Sequence, residues 1–216
     1  MGEARGNLSS AVRQQRREPH GSLNDFPTPP WATRALLTHP AVTDDFSAMT
    51  VREPAANRGH MVRPLAERFG RVLASDIFDY GAGYREVDYL FDAPAPVDWT
   101  ITNPPFSLAE RFIHKALDES RIGVAMFARS AFLEGVGRHG RLFDLTPPAL
   151  ILQFTERVVI HKGRLAPEGS SATAYCWIVW RLDWLCQTED LDPRFGWIAP
   201  CRKRLERPGD YPEDAA

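Results

Sequence analysis

The string Thr102-Asn103-Pro104-Pro105-Phe106 carries the most specific chemistry in this 216-residue chain. Two consecutive prolines have no N–H to donate, so they end a strand and hold a rigid, extended turn. Such a turn presents the Asn103 side-chain oxygen and the Pro104 carbonyl as fixed acceptors, with the Phe106 ring beside them. An aromatic amine is a poor nucleophile because its lone pair is delocalised into the ring. Two acceptors pulling on its hydrogens favour a more localised, tetrahedral nitrogen. If that nitrogen is held in line with a strong electrophile such as a methyl sulfonium, positioning and fixed dipoles supply much of the barrier reduction. That chemistry calls for no metal, and an aromatic face at Phe106 suits a base flipped out of its stack.

Two acidic positions fall where a nucleoside-bearing ligand would need them. Glu53-Pro54-Ala55-Ala56-Asn57-Arg58-Gly59 follows an apolar run, and its small residues allow close approach to the backbone. Its glycine is expected to open a helix whose N-terminal N–H groups face a carboxylate. About twenty residues on, Asp76 ends a second apolar run, where an acidic side chain accepts hydrogen bonds from ribose hydroxyls.

These groups need a scaffold of alternating strands and helices. Hydrophobic patterning predicts strands at Met49–Arg52, Arg71–Ser75, Val87–Leu90, Trp99–Thr102 and Gly123–Phe127. A helix is expected over His60–Phe69 and another from an N-cap at Ser107, with Glu110 three residues on, to about Leu117. Leu150–Phe154 and Tyr175–Trp180 are expected to complete the sheet as a hairpin-like pair. The expectation is an α/β, doubly wound, mostly parallel sheet of about seven strands with an antiparallel pair at one edge. Every motif above falls at a strand's carboxyl end. Residues 1–22 are expected to be a disordered tail, 23–183 the domain, and 184–216 a surface extension anchored by Trp184 and Trp197.

With these residues in view, the chain resembles the Rossmann-like (class I), S-adenosylmethionine-dependent amino-methyltransferases. It is most similar to small adenine-N6 DNA methyltransferases of phage and prophage type, over roughly Asp25 to Trp180. The resemblance implies that Asn103, Pro104, Pro105 and Phe106 are catalytic. It implies that S-adenosyl-L-methionine is held by the loop from Glu53 through Pro54, Ala55 and Gly59, and by Asp76. An acid after the third strand is implied near the cofactor's adenine; Asp88 is similar to it, with Asp92 close enough to compete. A Thr-Pro-Pro element before the first strand is similar to Thr28-Pro29-Pro30, implying that Thr28 and Pro29 lie against the cofactor. The family loop usually has glycine where this chain has Asn57, the non-glycine residue that best tolerates a left-handed backbone.

The implied partner is duplex DNA with a flipped adenine. Related families share the turn, so adenine in RNA or a glutamine side chain in a protein is the same chemistry, and a non-catalytic binding homologue is the rival from another class. A net charge of -2 does not advertise a polyanion partner. Candidate phosphate contacts are confined to two glycine- and cation-rich loops: Arg129 to Phe143, with Arg129, Arg138, His139 and Arg141, and Arg157 to Ser171, with His161, Lys162 and Arg164. The spacing of Cys176, Cys186 and Cys201 fits neither a disulfide framework nor a zinc site, so reduced thiols and no metal are expected. His60 and His114 are read as surface or satisfied core residues. The chain lacks an apolar run of membrane-spanning length and an apolar leader, so an intracellular, cytoplasmic protein is expected, without membrane association.

Overall fold

The computed structural model describes residues 24–169, 171–183 and 192–211. The expected tail at 1–22, Trp184 and Cys186 lie outside them. Eight strands form one sheet: β1 Thr50–Glu53, β2 Arg71–Asp76, β3 Arg85–Glu86, β4 Val97–Thr102, β5 Ser120–Arg129, β6 Leu150–Phe154, β7 Tyr175–Arg181 and β8 Arg194–Ile198. Their order is β3-β2-β1-β4-β5-β7-β6-β8. β7 runs antiparallel to β5 and β6, and the other ladders are parallel. This is the Rossmann-like, doubly wound α/β architecture expected. Strand order reverses between β1 and β4, which opens a crevice beyond their carboxyl ends.

The two faces bury separate apolar clusters. α1, Pro30–Leu37, buries all eight residues against one face, and Pro30 suits its first turn because the missing N–H would be unpaired there anyway. α3, Ala109–Glu119, buries Ala109, Phe112, Ile113 and Ala116 against the other, a 3.6-residue stripe. β7 is buried along its whole length, which explains its continuous apolar run. Trp177 and Trp180 fall on opposite faces, and their indole N–H groups donate to Ala32 O (3.0 Å) and Thr146 O (2.9 Å).

Several elements differ from expectation for local reasons. α2 covers only Val62–Ala66, because Pro64 cannot donate to His60 O and the chain before it stays in turns. The loop after β1 therefore does not run directly into a helix at Gly59. The third strand is β3, two residues long and earlier than Val87–Leu90; there Asp88 accepts from Leu90 N (2.9 Å) and turns the chain. α3 starts after Leu108, not Ser107, because Leu108 N donates to Pro105 O (2.9 Å) and closes a turn first. The stretch after β5 is helical rather than a loose loop: a 3-10 turn at Ser130–Leu133, α4 at Val136–Arg138 and a π turn at His139–Phe143.

The largest difference lies after residue 183. Instead of a surface extension, this segment supplies β8, parallel to β6, and α5, Arg202–Leu205. The antiparallel pair is thus enclosed rather than placed at an edge. Trp197 is 62% exposed and anchors nothing; Ile198, Cys201 and Leu205 join the core instead. The segment is pinned by the buried Arg34 guanidinium, which donates to both Asp210 oxygens (2.7 and 2.9 Å), to Leu205 O (2.8 Å) and to Glu67 (2.8 Å). Among the described residues no helix is long and apolar enough to cross a membrane.

Candidate active site

A cleft of about 570 Å³, open to solvent, occupies the crevice between β1 and β4. Asn103 and Pro105 form one wall, Ala55, Ala56 and Asn57 another, Asp76, Ile77 and Tyr80 a third, and Phe26 to Thr28 lie across it. Expected residues from four distant parts of the sequence, Thr28, Ala55, Asp76 and Asn103 with Pro105, therefore meet in one place, whereas Glu53, Pro54, Gly59, Pro104 and Phe106 are not among the residues that line it.

The catalytic-type turn is held more tightly than its sequence indicates. Asn103 Nδ2 donates to Phe26 O and to Thr28 Oγ1, both at 3.0 Å. A carbonyl can only accept, so the amide end facing Phe26 O is the NH2, and Oδ1 is fixed as an acceptor on the other side. Among the described residues no group donates to Asn103 Oδ1 or to the Pro104 carbonyl. Both oxygens thus keep their full accepting capacity. The Thr28 hydroxyl, expected against the cofactor, accepts from Asn103 in the cleft wall, and Pro29 is the N-cap residue of α1.

The Phe106 ring has two neighbours. The Phe26 ring lies 5.1 Å away at a 40° tilt, and the Arg129 guanidinium sits 4.0 Å from the Phe106 centroid. Arg129 thus covers aromatic surface on which a base would stack, and a base entering there has to share or displace that contact.

The acidic loop is wired to the same strand end. Glu53 is fully buried, and its Oε1 accepts from Ala55 N (2.9 Å) and from the Thr102 hydroxyl (2.6 Å). This joins the β1 loop to the residue before Asn103. Burial pushes the Glu53 carboxyl up to about 8 despite those two bonds, so it is mostly neutral at pH 7. Its Oε2 is buried with no hydrogen-bond partner. Asp76 closes β2 with Oδ2 accepting from Asn57 N (2.8 Å) and Oδ1 from Phe78 N (3.2 Å). Each oxygen retains a lone pair for a ligand in the cleft, and burial raises the Asp76 carboxyl above its ordinary value.

Asn57 does adopt the left-handed conformation, with φ of 50°. Its side chain adds what glycine cannot: Nδ2 donates to Asp25 Oδ1 (2.8 Å). Arg58 binds the same carboxylate (2.9 Å) and lies 5.0 Å over the Tyr80 ring. The N-terminal segment is thereby strapped to the loop after β1 through Asp25, a long-range pairing with no local sequence signal. His60, read from sequence as bland, is buried in the cleft wall. Its burial, together with Arg63 and Arg58, pushes its pKa down to about 4, so it is neutral at pH 7. His114 is an exposed residue of α3.

Other expected contacts lie elsewhere. Asp88 sits in the turn after β3 and does not line the cleft; Asp92 pairs with Arg85 (2.8 Å). Ile77 and Tyr80, which sequence reasoning missed, occupy that part of the wall. Of the expected phosphate contacts, Arg141 is paired with Glu110 (2.7 Å). Arg138 lies over the Phe132 ring and donates to Phe132 O and Glu134 O. These two cations close the helical segment after β5. Arg164 and Lys162 are exposed on a tight turn whose Gly163 N donates to Asp25 O (2.8 Å), beside the cleft. Cys176 and Cys201 are buried free thiols. Among the described residues no group of three or more His, Cys, Asp or Glu side chains is placed to hold a metal ion.

No family model matches this sequence, and no curated protein matches it significantly. Solved structures with a similar fold include a dimethyladenosine transferase from Plasmodium falciparum, 12% identical, covering 72% of this chain and 62% of that one, with a TM-score of 0.48. Another is a 23S rRNA methyltransferase, 16% identical, covering 69% and 66%, with a TM-score of 0.43. A third is a magnesium protoporphyrin IX methyltransferase from Synechocystis with bound S-adenosylmethionine, 13% identical, covering 62% and 70%, with a TM-score of 0.42. At such identities and TM-scores the likeness is one of architecture, and it assigns neither cofactor nor substrate to this chain.

Proposed function

We propose that this protein transfers a methyl group from S-adenosyl-L-methionine to an exocyclic amine, the N6 of adenine in DNA. The observation that carries the reading is the locked Asn103 amide, whose oxygen is aimed away from Phe26 and Thr28 beside an uncommitted Pro104 carbonyl.

The residues at the cleft fit the cofactor. Asp76 offers carboxylate lone pairs for ribose hydroxyls, Ile77 and Tyr80 supply apolar wall for a base, and Ala55 and Ala56 let a ligand reach the loop backbone. When bound, the cofactor supplies an electrophilic methyl carbon on a sulfonium.

The chain's own part is positional and electrostatic. Asn103 Oδ1 and the Pro104 carbonyl accept the two amine hydrogens, drawing the nitrogen lone pair out of conjugation so that it can attack the methyl carbon in line. Because Phe26 O and Thr28 Oγ1 already hold the other end of the amide, Asn103 does not reorganise during the reaction. The proton lost from the amine passes through one of these oxygens to solvent. Phe106 offers a stacking face to the base as it enters, and Arg129 shares that face or gives way to the base. Neutral Glu53 and His60 place no net charge beside the site at pH 7.

DNA as the bearer of the adenine is supported by the resemblance of the Asn-Pro-Pro-Phe turn and its companion motifs to adenine-N6 DNA methyltransferases. Incubation with methyl-labelled cofactor and equal masses of duplex DNA, RNA and protein tests it: label is expected in DNA. Label confined to RNA or protein would move the substrate while keeping the chemistry, and no label in any of them would defeat the reading.

A further inference from the structure

Phe195 and Trp197 are two residues apart on β8 and therefore share a face of the sheet. Their rings meet edge to face at 4.8 Å, and they are 56% and 62% exposed. β8 is the edge strand, in register with β6 at Ile151↔Phe195 and Gln153↔Trp197. The same β6 residues are in register with Ile178 and Cys176 of β7, which belong to the apolar cluster beneath α3. The aromatic pair thus continues the face that α3 covers further along the sheet, and both rings remain more than half exposed there.

Trp197 borders a groove of about 720 Å³, open to solvent, whose walls include Gln153, Glu156, Arg157 and Tyr175; Glu156 Oε1 is engaged by Cys201 N and Arg202 N. The groove lies at the same sheet end as Asn103, since β4, β6 and β8 are codirectional. It connects to the cleft through a chain of contacts: Ser130 Oγ donates to Gln153 Oε1 (2.7 Å), β5 pairs Arg129 with Tyr175, and Arg129 lies on Phe106. Arg157 and Arg129 are exposed along this path. The neighbouring cavity on the far side of the aromatic pair includes Asp144 and Asp192 in its walls. With the Glu156 carboxylate already bound by backbone N–H groups, the exposed Arg129 and Arg157 favour a polyanion running from the cleft along this groove, and Asp144 disfavours one continuing past Phe195.

We propose that this groove binds the nucleic-acid strand flanking the target base as unpaired nucleotides, one of which stacks on Trp197. The inference rests on the nucleic-acid reading above and adds to it, because an exposed ring face recognises a base only when that base is free of its partner. Four ladders separate β4 from β8, roughly 19 Å at about 4.8 Å each. A stacked strand rises about 3.4 Å per nucleotide, so Trp197 meets a base about six nucleotides from the target.

The test is fluorescence anisotropy of labelled, adenine-containing oligonucleotides binding to the full chain without cofactor, with sedimentation run in parallel. With ten unpaired nucleotides on each side of the adenine, Trp197→Ala should bind about tenfold more weakly, and Trp197→Phe should keep most of the affinity. With two flanking nucleotides, wild type and Trp197→Ala should bind alike. Arg157→Ala should lower the slope of log affinity against log salt by about 0.7, whereas Trp197→Ala should leave it unchanged. Equal binding of the long oligonucleotide by wild type and Trp197→Ala would overturn the platform, while wild-type binding itself would leave the nucleic-acid reading standing. Preference for fully paired DNA, unaffected by Trp197→Ala, would overturn the unpaired strand alone. A wild-type dimer that Trp197→Ala converts to monomer would assign the aromatic pair to a second copy of this chain. No binding of any nucleic acid by wild type would defeat both readings.

Discussion

Replacing Thr28 by valine keeps the side-chain shape and removes one of the two acceptors that orient Asn103. Both hydrogen bonds to Asn103 Nδ2 are 3.0 Å long, and Thr28 is buried. A neutral hydrogen bond of this kind contributes about 1 kcal/mol net. If that energy serves to hold Oδ1 toward the amine, the loss appears in the transition state, as roughly a fivefold fall in kcat. Binding of S-adenosylmethionine, measured by calorimetry, should change by less than about twofold, since the missing bond is internal. Thr28→Ser keeps the hydroxyl and should restore most of the rate. Single-turnover methyl transfer to an adenine-containing oligonucleotide, measured with excess enzyme, reads the effect without product release. Weaker cofactor binding at an unchanged rate would refute the positioning argument and make Thr28 a ligand contact, as its sequence context implies.

Three further outcomes follow from the packing. Asp210→Ala leaves the buried Arg34 guanidinium with only Glu67 and one carbonyl, and should cost about 3 kcal/mol in urea denaturation; a change under about 0.5 kcal/mol would mean that the C-terminal segment is not docked there. Gly59→Ala places a side chain at φ of 81° and drives its Cβ into the Tyr84 hydroxyl; a loss of about 1–2 kcal/mol is expected, part of it recovered in a Tyr84→Phe background. Glu53 and His60 should tilt stability with pH in opposite directions. Glu53 stays protonated in the folded chain up to about 8, so between about 4.5 and 8 the unfolded state alone ionises and stability falls as pH rises. His60 stays neutral down to about 4, so stability falls as pH drops from about 6.5 to 4. Glu53→Gln should remove the first slope and His60→Gln the second, in urea midpoints recorded across pH; unchanged slopes would contradict the burial argument.

The sheet was legible because its strands are apolar runs ended by chemically distinctive residues: Glu53 and Asp76 close β1 and β2, and the prolines after Asn103 close β4. Local patterning failed where a short-range bond competed with it. Pro64 shortened α2, the Asp88 turn displaced β3, and the Pro105 turn displaced the start of α3. Contacts across the chain left no local trace. Arg34 and Asp210 are 176 residues apart, and the Asp25 strap joins two loops that each look ordinary. The same holds within the cleft. Asn103 stands out by its neighbours in sequence, whereas Thr28 and Phe26 gain their orienting role only when the fold brings them together. Arg138 and Arg141 illustrate the converse: cations in a glycine-rich stretch suggest phosphate contact, yet carbonyls and Glu110 already engage them.

Product identity tests the central claim most directly. Wild type and Asn103→Ala, each first shown to bind S-adenosylmethionine within a few-fold of the other, should be incubated with methyl-labelled cofactor and adenine-containing DNA. The nucleosides should then be released and separated. Label in N6-methyladenosine-type nucleoside from wild type, and none above background from Asn103→Ala, is the predicted result. Label on another atom, or equal transfer by Asn103→Ala, would contradict the account.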